Sequence, residues 1–156
     1  MNEAQRNEYP VDRLVKLRLR HYGNKHYSPK LFTTVCDVPF RNKPKGGLWT
    51  SPINSTYGWS EWCKDNGYDD LTSYFDLEFE GTVFEINSFK DMNNLPWIEI
   101  NDMYFVSFEQ LMFMGYDAVY LTDKGQTETR LTHPKSLYGW DCETVLIMNA
   151  NSIKST

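Results

Sequence analysis

Val15, Leu17, Leu19 and His21 alternate with Lys16, Arg18, Arg20 and Tyr22, and this period of two predicts a half-buried strand running from Val11 to the Gly23-Asn24 turn. Periodicity leaves Lys30 to Val38 open between a second short strand and a turn of helix. A polar loop, Asn42 to Gly47, then leads into Leu48-Trp49-Thr50-Ser51-Pro52, a short strand stopped by its proline. Gly46-Gly47 lets the backbone approach a ligand or a neighbouring strand closely. Trp59, Trp62 and Cys63 fall at i, i+3 and i+4 ahead of Asn66-Gly67, so Tyr57 to Asn66 is expected as a short helix with its Trp stripe in the core. Alternation from Leu71 to Glu80 and from Thr82 to Ile86 predicts two strands separated by a bend or bulge at Gly81.

Further along, Ser88 to Asn94 reads as a helical turn, and Ile98 to Phe105 as edge strands or a packed loop. Ser107-Phe108-Glu109-Gln110 matches a capping box, with Phe108, Leu111 and Met112 as the apolar face of a helix closed by Gly115. Ala118 to Thr122 is expected to form a hairpin with Thr127 to Leu131 through Asp123-Lys124-Gly125. Last, the unbroken apolar run Val145 to Met148 predicts a strand covered on both faces, with Glu143 at its mouth. Strands outnumber helices and do not alternate with them as βαβ units. The expected class is therefore α+β: two small, mainly antiparallel sheets packed face to face and flanked by the helices at Tyr57 to Asn66 and Ser107 to Met114.

A length of 156 residues suits one domain, expected over residues 11–156 behind a flexible arm at residues 1–10. Hydrophobic residues at 40% and aromatics at 15% supply enough apolar area for a core, which excludes disorder as the main state. The net charge of -5 argues against general binding of duplex nucleic acid. Most of the positive charge nevertheless lies between Arg13 and Lys45, in residues such as Arg18, Arg20, Lys43 and Lys45, an asymmetry suited to a phosphate-bearing ligand. Cys36, Cys63 and Cys142 lack CxxC spacing, so neither a disulfide framework nor a zinc site is expected, and a reducing cytoplasm fits. No long apolar segment predicts a membrane span, and no charged-then-apolar leader opens the chain.

The usual sequence marks of nucleotide and acyl chemistry are missing: no G-x-S-x-G elbow, Walker loop or G-x-G-x-x-G occurs, and the three histidines lack metal spacing. What remains is an ordered set: a strand ending in Arg20-His21-Tyr22-Gly23, a Gly-Gly-Leu-Trp-Thr-Ser-Pro strand followed by a Tyr/Trp helix, and a late strand headed by Glu143. Taken alone, His21 reads as a core or rim residue and Glu143 as a solvated acid.

In order and spacing, from about Leu14 to Ile153, the chain resembles the ADP-ribosyltransferases, and is similar to small phage-borne members that act against host defence. Gly47-Leu48-Trp49-Thr50-Ser51 stands at the place of their glycine-led strand, and Glu143 at the place of the acid ahead of their late apolar strand. The pair Asp141-x-Glu143 is similar to the acid turn of the arginine-type toxins, and the His-type and Arg-type subclasses both remain open. The resemblance implies an ADP-ribosyltransferase-like fold, NAD as cofactor, and transfer of ADP-ribose to a host protein or nucleic acid in the host cytoplasm. Its implied catalytic residues are Glu143 and His21. Arg20, Gly23, Trp49, Ser51 and Tyr57 would bind the cofactor: the His21 to Gly23 turn holds the nicotinamide amide, Trp49 or Tyr57 stacks on the ring, and Arg20 or a loop lysine neutralises the pyrophosphate. The alternative is a non-enzymatic protein of the same fold that blocks a host protein through exposed aromatic anchors.

Overall fold

The computed structural model describes residues 14–68 and 71–156. The expected arm at residues 1–10 and the opening of the first strand lie outside the described residues. In chain order the elements are β1 (Leu14–Tyr22), β2 (Leu48–Pro52), α1 (Trp59–Asn66), β3 (Tyr74–Ile86), β4 (Trp97–Ile100), β5 (Met103–Val106), α2 (Phe108–Phe113), β6 (Ala118–Leu121), α3 (Asp123–Thr129), β7 (Thr144–Ile147) and β8 (Ile153–Ser155).

These strands do not form two sheets packed face to face. β1 pairs antiparallel with β2 and also along its whole length with β3, from Leu14 opposite Thr82 to Tyr22 opposite Tyr74. The order β1-β2-β7-β6-β3 therefore returns to β1 and closes a five-stranded barrel, with β8 added against β3 and a separate β4-β5 hairpin. The ADP-ribosyltransferase-like arrangement of two sheets flanked by helices is thus corrected to a mainly β, closed barrel with few helices.

The physical reason lies in β3. Instead of two strands broken at Gly81, it is one strand of 13 residues, long enough to pair with β1 through Thr82 and then, in parallel, with β6 from Val83 to Ile86. Gly81 marks neither bend nor bulge in that ladder; a Cβ there would stand 2.7 Å from the carboxylate of Asp117, so the missing side chain makes room for the acid. Asp117 uses that room to accept the Thr82 N–H at 2.8 Å and the Asn149 side-chain amide at 2.8 Å.

A second expectation fails at Asp123 to Thr129, which is α3 and not the return strand of a hairpin. Thr122 Oγ1 accepts the Gly125 N–H at 3.0 Å and caps the helix. Gly125 is obligatory there because a Cβ would fall 2.0 Å from the carbonyl oxygen of Ile86. The capping box at Ser107 is half made: its hydroxyl accepts the Gln110 N–H at 3.1 Å, while its own N–H donates to Pro96 O at 2.8 Å.

Side-chain alternation divides the core into two. Leu19, Leu48, Phe75, Leu77, Phe79, Ala118, Val145 and Ile147 come from all five barrel strands and fill the interior. Leu146 and Met148 point the other way, into a larger cluster with Ile86, Phe108, Leu111, Val119, Leu121 and Trp140 under the helices and loops. The apolar run of β7 is accordingly buried on both faces.

Candidate ligand cleft

One end of the barrel carries a cleft of about 320 Å³ walled by the end of β1, by β2, by Trp59 at the start of α1 and by the segment 139–142 ahead of β7. That volume lies at the small end of the range for small-molecule sites. Its walls are aromatic: Trp49 and Trp140 meet edge to face at 5.0 Å, and Tyr22 and Trp59 complete them.

β1 delivers Arg20 and His21. Arg20 is held by Asp76 on the paired strand β3, through Nε at 2.6 Å and Nη2 at 3.1 Å, and its guanidinium lies 4.1 Å over the Tyr74 ring. This hydrogen-bonded pair raises the Arg20 pKa and holds the Asp76 carboxyl below its ordinary value. His21 Nδ1 lies 2.8 Å from Trp49 O, and a carbonyl only accepts, so Nδ1 carries hydrogen and Nε2 accepts from the Asn24 amide at 3.0 Å. Both ring nitrogens are therefore engaged within the protein, and the imidazole ties the end of β1 to β2.

β2 delivers Trp49, Thr50 and Ser51. Ser51 Oγ accepts the Trp59 N–H at 3.0 Å, which seats the first turn of α1 on the strand. Only Cys63 of α1 is fully buried. Its Trp stripe is thus not core: Trp59 and Trp62 are half-buried and stacked at 5.0 Å, and Tyr68 extends the stack outward at 5.2 Å.

Of the residues named from sequence, Arg20, His21, Trp49 and Ser51 line the cleft together. Glu143, Gly23 and Tyr57 are not among its lining residues. Gly23 spends its N–H on Ser73 O at 2.8 Å. The Tyr57 hydroxyl donates to Asp65 at 2.7 Å, which pushes the phenol up to about 12. Glu143 is only 6% exposed, and its carboxylate accepts the Thr56 N–H at 3.1 Å and the Tyr120 hydroxyl at 2.6 Å. Burial first, then that bond, raises the Tyr120 pKa. Glu143 thereby joins β6 to the loop after β2, while its neighbours Asp141, Cys142 and Thr144 face the cleft.

Trp59, Trp140 and Cys142 are cleft residues that the sequence does not single out, whereas Lys43 sits on the loop whose lysines it offers to a phosphate-bearing ligand. Lys43 Nζ lies 6.0 Å over the Trp49 ring. Cys142 is a buried thiol, and burial pushes it up to about 11. The one available signal was Gly139-Trp140-Asp141-Cys142, an aromatic and an acid held immediately ahead of the buried strand. Among the described residues no group of three or more His, Cys, Asp or Glu is placed to hold a metal ion, and no helix is long and apolar enough to cross a membrane. Compared with models of known protein families, with curated proteins and with solved structures, the chain matches none.

Proposed function

We propose that the protein binds NAD in this cleft and moves its ADP-ribosyl group to a host-cell macromolecule. The observation that carries the reading is convergence: His21, Trp49, Ser51 and the Asp141-Cys142 segment, far apart in the chain, meet around one aromatic-walled space. Indole faces suit a planar heterocycle such as nicotinamide. When the bond between nicotinamide and ribose breaks, the electron pair leaves with nicotinamide and positive charge develops on the sugar, so fixed negative charge lowers the barrier. Asp141 offers a carboxylate on the wall, and Glu143 stands between the wall residues Cys142 and Thr144.

Asp141→Asn tests the reading, because Asp141 is the carboxylate among the residues lining the cleft and an amide of the same shape removes its charge. Nicotinamide release, followed by chromatography with a host lysate supplying the acceptor, is expected to fall roughly 100- to 1,000-fold in the variant, the usual effect of removing an electrostatic partner of the transition state. Equal release from both proteins would refute the role of Asp141.

A second reading, a protein that blocks a host partner without turnover, is favoured by one feature: the Glu143 carboxylate and both His21 ring nitrogens already have partners within the protein. NAD binding without nicotinamide release from the wild type would select it.

A further inference from the structure

Two cations line the cleft, and they are not equivalent. Arg20 is committed to Asp76 by two hydrogen bonds and stacked on Tyr74, so turning it toward a ligand would break a bidentate pair. Lys43 is exposed, and among the described residues it has no ion pair; its ammonium meets only the Trp49 ring.

The loop that carries Lys43 is nevertheless fixed. The preceding residue, Asn42, donates to Ser136 O at 2.8 Å, accepts the Val106 N–H at 2.7 Å, and gives its carbonyl to the Trp140 indole N–H. These bonds clamp the lysine loop to the turn that holds Gly139, where a Cβ would have Lys43 Cε, at 3.8 Å, as its only neighbour. Gly139 adopts φ +101°, and among the described residues nothing accepts a hydrogen bond from its N–H or from that of Cys142. Cys142 lies on the cleft wall, and a backbone N–H without a protein acceptor takes one from a ligand or solvent. An ammonium without an ion pair, lining the same cleft as backbone N–H groups without a protein acceptor, suits a phosphate oxygen.

We infer that Lys43, with the backbone N–H groups of Gly139 and Cys142, forms an anion subsite that takes a phosphate group of the ligand, and that Arg20 has a structural task. The inference rests on the NAD reading only for the identity of the rest of the ligand. It assigns the cleft to phosphate-bearing ligands as a class, and it distinguishes NAD and ADP-ribose from nicotinamide riboside, the cationic, phosphate-free end of the same molecule.

The test is calorimetric titration of the wild type, Lys43→Gln and Lys45→Gln with NAD, ADP-ribose, inorganic pyrophosphate and nicotinamide riboside. Lys45 is exposed on the same loop but does not line the cleft, so its variant matches the loss of charge. Lys43→Gln is expected to weaken NAD and ADP-ribose about 10- to 100-fold and to flatten the salt dependence, the usual effect of losing a hydrogen bond to a charged group. Lys45→Gln and the wild type should agree. Pyrophosphate binding that needs Lys43, without NAD binding, would uphold the subsite and reject NAD. Equal weakening in both variants, NAD binding unaffected by Lys43→Gln, or no binding of any phosphate ligand to the wild type would overturn the subsite.

Discussion

Asp141, Cys142 and Glu143 are neighbours in the chain and meet three environments: a half-exposed wall, a buried wall, and a hydrogen-bonded interior. Cys142 and Thr144 line the cleft while Glu143 turns away from it to Tyr120, which is the alternation of a strand, but sequence spacing could not say on which face the cleft would lie. The acid was legible as a group fixed by a core strand; its direction was not. Cys142 carries a prediction at this scale. Burial pushes the folded thiol up to about 11 from an ordinary 9.0, so the unfolded chain loses this proton first as pH rises. The contribution is therefore present below pH 9 and is lost between about pH 9 and 11, with a slope of up to about 1.4 kcal/mol per pH unit. Urea denaturation across that window should show Cys142→Ala losing stability less steeply than the wild type.

At the scale of elements, β3 decides the topology and Asp117 secures it. The carboxylate bonds the Thr82 N–H of β3 and the Asn149 amide beyond β7, while its backbone carbonyl accepts from Met148 N at 2.7 Å. Three segments meet at one residue. Asp117→Ala removes both carboxylate bonds and should lower unfolding free energy by about 2–4 kcal/mol with an unchanged urea m-value. Period-two alternation made β1 and the two halves of β3 legible, though not their continuity through Gly81; a glycine-led run stopped by Pro52 marked β2, and Gly67 and Gly115 ended their helices as expected. α3 was not legible because Thr127, Thr129 and Leu131 carry strand propensity and Lys-Gly looks like a hairpin turn, whereas the helix is imposed by the Thr122 cap and by the close approach of Gly125 to β3.

At the scale of the molecule, closure could not be read from strand content alone, since it requires β1 to have partners on both edges, and pairing over such distances leaves no local mark. A ring of five strands protects its own edges, and the β4-β5 hairpin stands apart from it. Native-state hydrogen exchange should accordingly find its slowest amides in β1, β2, β3, β6 and β7, opening only with global unfolding, and faster exchange in β4 and β5. Uniform protection across all of these strands would contradict that division. Closure also has a consequence for the order of events during synthesis. β7 is the piece that joins β2 to β6, and it brings Val145 and Ile147 to the interior. A nascent chain that has emerged only as far as residue 143 holds the other four strands but presents an open ring with two unpaired edges and an incomplete core. The barrel therefore stays unfinished, and prone to pairing with other chains, until nearly the whole of this sequence has left the ribosome.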